Sequence, residues 1–264
     1  MDIQLYQVDA FAERAFAGNP AAVCPLDRPL DAGVMQKIAL ENNLSETAFV
    51  VPREGAGEYD LRWFTPGAEV DLCGHATLAS AWVLFNRQGE KADKVSFHTR
   101  SGVLNVSRRA DGMLVMDFPA LPAKEVALPD GFVEAIGKTP VKYLRAVKNM
   151  AVFESEADVR AIKPDFGYIK DMAEGYGLIV TAPGEGCDCA SRYFAPQVGV
   201  NEDPVTGSAH CTIVPYWAKR LGKSAIHARQ VSARGGDLYC CDLGERTEIA
   251  GHAVLVISGT LTLP

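Results

Sequence analysis

Three places in this 264-residue chain carry side chains that could move a proton or hold a charged ligand. The first is Glu46, in Asn42-Asn43-Leu44-Ser45-Glu46-Thr47-Ala48-Phe49-Val50-Val51, where a helix hands over to an apolar strand. A carboxylate facing a cleft there would be desolvated, and its pKa raised towards the range in which it both gives and takes a proton. The plain alternative is a glutamate on a strand edge, exposed and idle. Sequence context alone favours that alternative.

The second and third places resemble each other. Gly74-His75-Ala76-Thr77 and Gly207-Ser208-Ala209-His210 each open an apolar stretch, 133 residues apart. Ala76–Phe85 contains no charge, and neither does Ala209–Trp217, which describes helices buried on every side. Pro215 should kink the second. A buried helix still leaves its first N–H groups unpaired and concentrates partial positive charge there, so its start suits an anion. Gly74 and Gly207 would let a ligand approach the backbone, and His75 and Ser208 could each hydrogen-bond to it. Tight packing at the glycines and ordinary capping by Ser208 would explain one such start; two at matching positions point to a ligand. Asp203, in Asn201-Glu202-Asp203-Pro204-Val205-Thr206, could cap the second helix or orient a histidine or a substrate amine.

The elements that must position these groups repeat. Arg62-Trp63-Phe64-Thr65-Pro66 recurs as Arg192-Tyr193-Phe194-Ala195-Pro196, and Arg100-Ser101-Gly102-Val103-Leu104 as Arg234-Gly235-Gly236-Asp237-Leu238. Together with the glycine pair these matches keep their order at an offset of about half the chain, which reads as a tandem duplication. Strand-like runs are Ile3–Val8, Thr47–Val51, Tyr59–Phe64, Val103–Val106, Met113–Phe118, Leu178–Thr181, Leu238–Cys241 and Val254–Ile257. An amphipathic helix should start at Asp31 and run to about Asn42, with Val34, Met35, Ile38 and Ala39 on one face. The expected architecture is α+β, with two pseudo-symmetric domains, each a β-barrel-like sheet around a central buried helix. The domains would span 1–118 and 123–264, joined near Pro119, Pro122 and Pro129; the last strand could instead pack back on the first half.

Bulk properties narrow the function. Apolar residues make up 48% and charged residues 22%, as in a globular protein. A formal charge of −7 without a basic cluster argues against nucleic acid. No signal peptide or membrane span is visible, so the expectation is a cytoplasmic protein whose seven cysteines are reduced thiols. Cys187-x-Cys189 and Cys240-Cys241 do not make a structural zinc pattern, and no metal is expected. His98, His210, His227 and His252 show no ligand spacing and read as structural or surface residues.

Gly18-Asn19-Pro20-Ala21-Ala22-Val23, Ser45-Glu46-Thr47-Ala48-Phe49, Cys73-Gly74-His75-Ala76-Thr77 and Glu202-Asp203-Pro204-Val205-Thr206-Gly207-Ser208-Ala209, in this order, resemble the PhzF-like family of phenazine-biosynthesis isomerases. The resemblance implies a fold like that of diaminopimelate epimerase, a homodimer, and an isomerase that moves hydrogen within a dihydro-hydroxyanthranilate ring without cofactor or metal. It further implies Glu46 as general acid/base, with His75 and Asp203 assisting and Gly74, Gly207 and Ser208 lining the substrate site, and so overturns the idle reading of Glu46. The expected ligand is a small anionic, carboxylate-bearing metabolite. Related epimerases use a thiol at each helix start. Here Cys73 precedes Gly74 but Thr206 precedes Gly207, which disfavours a two-thiol racemase. An epimerase pairing Glu46 with His75 or Asp203, and a metabolite-binding protein without chemistry, are the alternatives.

Overall fold

The computed structural model describes residues 1–263. The chain divides into two compact units: residues 1–117 with 250–263, and residues 118–249. The C-terminal strand thus counts with the first unit, the arrangement in which the last strand packs back on the first half.

The first unit begins with an antiparallel pair, β1 (Asp2–Ala10) and β2 (Asn19–Pro25). Helix α1 (Ala32–Asn42) then returns the chain to β3 (Glu46–Pro52), which lies parallel to β2. Asp31 caps α1 by accepting a hydrogen bond from the Gly33 N–H, and Asn43 ends it in the left-handed conformation that asparagine tolerates. Met35, Ile38 and Ala39 are the buried face of α1, with Val34 only packed against its margin. Strand β4 (Glu58–Phe64) pairs with β3 and with the short β5 (Glu69–Val70). The helix α2 (Gly74–Arg87) crosses over to β6 (Lys94–Thr99), parallel to β4; β7 (Gly102–Arg108) and β8 (Leu114–Pro119) complete the meander.

The second unit repeats this order. After β9 (Lys124–Glu125) and α3 (Phe132–Ile136) come the hairpin β10 (Lys142–Arg145) and β11 (Asn149–Val152). Two short helices, α4 (Glu156–Ala161) and α5 (Phe166–Asp171), lead to β12 (Leu178–Pro183), parallel to β11. Strands β13 (Cys189–Ala195) and β14 (Val200–Asp203) follow as an antiparallel pair. Helix α6 (Gly207–Leu221) crosses over to β15 (Ala225–Gln230), parallel to β13, and β16 (Gly236–Asp242) pairs with β15. The chain ends with β17 (Arg246–Gly251) and β18 (Ala253–Thr262), the latter paired along nearly its whole length with β1.

Helix α2 packs against β1, β2, β3, β7 and β18, so the first unit's strands surround it. Its residues 75–81 and 83–85 are buried; Trp82 is only half-buried, and the enclosure opens at that face. Helix α6 is buried from Ala209 to Val214 and again at Trp217, whose indole N–H donates to the Thr181 hydroxyl. Pro215 does not end it. A proline lacks the N–H that would pair with the carbonyl four residues back, and the Cys211 carbonyl so released accepts from the Leu121 N–H at 2.8 Å.

Each crossover is fastened by the same device. Arg62 donates two parallel hydrogen bonds to Glu69, 2.7 and 2.8 Å, while lying over the Phe64 ring. Arg192 grips Glu202 at 2.8 and 2.9 Å and lies over Phe194. Paired guanidinium–carboxylate contacts of this geometry fix direction as well as distance. Among the described residues no helix is long and apolar enough to cross a membrane.

Candidate active site

Glu46 opens β3 and Asn19 opens β2, and the parallel register sets Ala21 beside Glu46. Both residues thus stand at one end of the sheet. The first turn of α2 brings His75 to the same end. His75 Nε2 lies 3.0 Å from Glu46 Oε2, and the Asn19 amide lies 3.2 Å from Nδ1 on the opposite side of the ring. Cys73, the residue before the helix, places its sulfur 3.5 Å from the same Nδ1. Three side chains, from β2, from β3 and from the residue before α2, converge on one imidazole.

Burial decides which of them a ligand reaches. The His75 side chain is 6% exposed and that of Glu46 16%, so the carboxylate is the open member of the pair. Neither Oε2 nor Nε2 has a partner in hydrogen-bond geometry among the described residues, although they are close enough for an ion pair. A buried donor and acceptor left in this condition are costly in a purely structural setting.

Burial pushes the His75 pKa down, but the Cys73 and Glu46 groups act more strongly together and hold it well above the usual histidine value. Cys73 is itself pushed up to about 11, by burial first and then by the Glu46 charge, and is a neutral thiol at pH 7. The carboxylate is therefore the partner that keeps His75 protonated. An imidazolium donates from both nitrogens, which assigns the acceptor at Nδ1 to the Asn19 amide oxygen, reached by the amide's isosteric flip.

Oxygen, nitrogen and sulfur donors of Glu46, His75 and Cys73 lie within 4.8 Å of one another. Histidine, cysteine and carboxylate are also zinc ligands. Here the ring separates them, with the sulfur beside Nδ1 and the carboxylate beside Nε2. The donors face two nitrogens rather than one point, an arrangement suited to passing or holding a proton. The spacing of zinc motifs gave no warning of this group, because its members come from β3 and the start of α2.

In the second unit Thr206 is the N-cap of α6, as Cys73 is of α2, and neither side chain caps its helix. Asp203 ends β14 and accepts the Thr206 hydroxyl's hydrogen bond. Gln230 accepts from the Thr206 N–H at 2.9 Å and donates to the Asp203 carbonyl at 2.6 Å, tying the turn to β15. Gly207 is buried and Ser208 is half-buried, both in the helix's first turn. His210 is wholly buried, donates from Nδ1 to the Thr206 carbonyl, and is pushed down to about 4 by burial, so it is neutral. His98 pairs with Glu58, and His227 with Asp237. Asn19 stands in the Gly18-Asn19-Pro20 motif, which assigned it no role, and Gln230 has no signal beyond its place in a strand.

The Phenazine biosynthesis-like (PhzC-PhzF) family model matches residues 8–259. The chain belongs to this family. An uncharacterized isomerase of Pseudomonas aeruginosa is 52% identical over 263 residues, all of both chains. The crystal structure of a PhzF-family protein from Enterococcus faecalis superposes with a TM-score of 0.97 at 44% identity, again over the whole of both chains. A hydroxyproline epimerase of Agrobacterium vitis shares the fold, with a TM-score of 0.63 at 9% identity over 98% of this chain and 92% of that one. The fold is thus the α+β architecture of PhzF and epimerase-like proteins, and the family is isomerase-like.

A thiol test separates the chemistries open to this scaffold. Buried and raised to about 11, Cys73 should stay unmodified by iodoacetamide near pH 7.5 while the part-exposed Cys187 and Cys241 react. Peptide mapping by mass spectrometry reads this directly. Preferential labelling of Cys73 would mark it as a thiolate and return the thiol-based racemase to contention.

Proposed function

We propose that this PhzF-type protein is an isomerase that moves a proton within a small carboxylate-bearing metabolite, with Glu46 as the general acid/base. The observation that carries the reading is the Glu46–His75 contact: a reachable carboxylate against a buried, protonated imidazole, at the start of an enclosed helix. Glu46 takes a proton from one carbon of the substrate and delivers that proton, or one exchanged with solvent, to another carbon. His75, charged throughout, orients the carboxylate and offsets charge that develops on it. Gly74 and the residues after it supply backbone N–H groups at the α2 start. Asp203, Gly207 and Ser208 are assigned to holding the substrate on the second unit. No cofactor takes part in this scheme.

The test is a screen of small cyclic and amino carboxylates in D2O, followed by NMR. Deuterium should enter one carbon as hydrogen leaves another, giving a product of the same composition. Exchange with inversion at a single stereocentre would replace this reading by epimerisation. Tight binding with no exchange across the panel would leave a metabolite-binding protein instead.

A further inference from the structure

The turn between β10 and β11 carries a cation that the scheme above does not use. Lys148 is the last residue of that turn and precedes Asn149, as Gly18 precedes Asn19 in the first unit. The turn is fixed from both sides: the Ala146 N–H donates to the Lys148 carbonyl at 3.0 Å, and the Tyr176 N–H to the Val147 carbonyl at 2.8 Å. Lys148 Nζ lies over the Tyr193 ring, 5.7 Å from its centre. That ring is locked in turn, since its hydroxyl donates to the Tyr176 carbonyl at 3.1 Å.

Tyr193 is the β13 residue paired with Asp203 across β13 and β14. The ammonium consequently stands on the Asp203 side of the sheet, near the start of α6. Among the described residues Lys148 forms no salt bridge and no side-chain hydrogen bond, and its only polar contact is the aromatic face. A part-buried ammonium normally finds an anion or reaches water. Burial pushes the Lys148 amine down from its ordinary value, with the Cys211 sulfur and Asp203 opposing.

We propose that Lys148 is an anion-recognition residue of the second unit, binding a carboxylate group of a small ligand. An unpaired ammonium on a fixed aromatic platform gives direction to a carboxylate without the cost of breaking an existing pair. The inference rests on the isomerase reading for the identity of that ligand, but not for the anion site itself.

The probe is acetate, added at constant ionic strength against chloride to protein carrying 13Cε-labelled lysine. The Lys148 signal, assigned by its loss in Lys148→Met, should move saturably in the millimolar range while other lysine signals follow ionic strength alone. In Lys148→Met the acetate affinity, read from the Gly207 and Ser208 amide signals, should fall about ten- to a hundredfold. Lys148→Arg should keep most of it. A Lys148 signal that responds no more to acetate than to chloride overturns the proposal, and so does a Met variant that folds and keeps wild-type affinity. Should the Met variant fail to fold, the wild-type titration and the Arg variant still decide. The same titration on Glu46→Gln keeps the two readings apart: an intact acetate response there supports the anion site whatever becomes of the chemistry.

Discussion

Glu46→Gln should fold, keep its ligand and lose turnover. Positioned acid–base groups contribute about 10²–10⁴-fold to rate, and the amide can neither take nor give the proton. The loss should appear in kcat, with little change in ligand affinity, on whichever carboxylate the exchange screen identifies. A second readout needs no substrate. In the native protein the His75 charge is held by the carboxylate 3.0 Å away, against the opposing effect of burial. Removing the carboxylate leaves burial in command, so the His75 pKa should drop below the ordinary histidine value, as burial alone does to His210. Imidazole 15N chemical shifts report the change.

The sign of the stability effect follows by linkage. A histidine whose folded pKa is raised stabilises fully below its unfolded pKa of about 6.5, and that contribution fades as pH rises through the folded value. With the pKa depressed, as expected in Glu46→Gln, the group instead destabilises as pH falls through the unfolded value. Urea denaturation of the two proteins should therefore diverge as pH falls below about 6.5 and converge as it rises above the raised His75 value. Full activity in the variant, or a His75 signal that does not move, would remove Glu46 from its role.

How far the sequence alone reaches is clear from particular residues. The ends of α1 were readable because capping is local: Asp31 and Asn43 act within three or four residues of themselves. Strands β3, β4, β7, β8, β12 and β16 announced themselves as apolar runs or alternations. Strand β2 did not, because Pro20 and Pro25 sit in Asn19–Pro25, and prolines argue against a central strand. The structure tolerates them at its two ends. The parallel pairs β2–β3, β4–β6, β11–β12 and β13–β15 were equally silent, since each depends on a helical crossover rather than on neighbouring residues. At the site, Glu46 and His75 were legible through the family motifs, but their contact was not. Gln230 was missed because it owes its place to strand register, which no local pattern encodes, and Asn19 stood in a quoted motif without a role for the same reason; Lys148 lies in a turn set by hydrogen bonds from outside it.

Gly18→Ala should be among the most damaging single substitutions outside the apolar core, and it should damage the site as well. Three residues of the loop joining β1 to β2 adopt left-handed backbone: Phe11, Phe16 and Gly18, the last at φ +67°. At Gly18 a methyl group would stand 2.2 Å from the Ala10 carbonyl oxygen and 2.8 Å from the Ala12 Cβ. The first of these is main chain of β1 and cannot swing aside. Gly112, at φ +85°, provides the control, because a methyl there would meet nothing within 4 Å. Gly112→Ala should thus register backbone strain alone, about 1–2 kcal/mol. Gly18→Ala adds the collision, and a total of about 3–5 kcal/mol is expected in urea melts. Relief of the collision would have to come from moving Asn19, the next residue, whose register partner is Ala10 and whose amide holds His75 Nδ1. The His75 titration should accordingly shift in Gly18→Ala and stay unchanged in Gly112→Ala. Equal stabilities for the two variants would show that the loop yields to the methyl group, and that Asn19 is not fixed by the backbone before it.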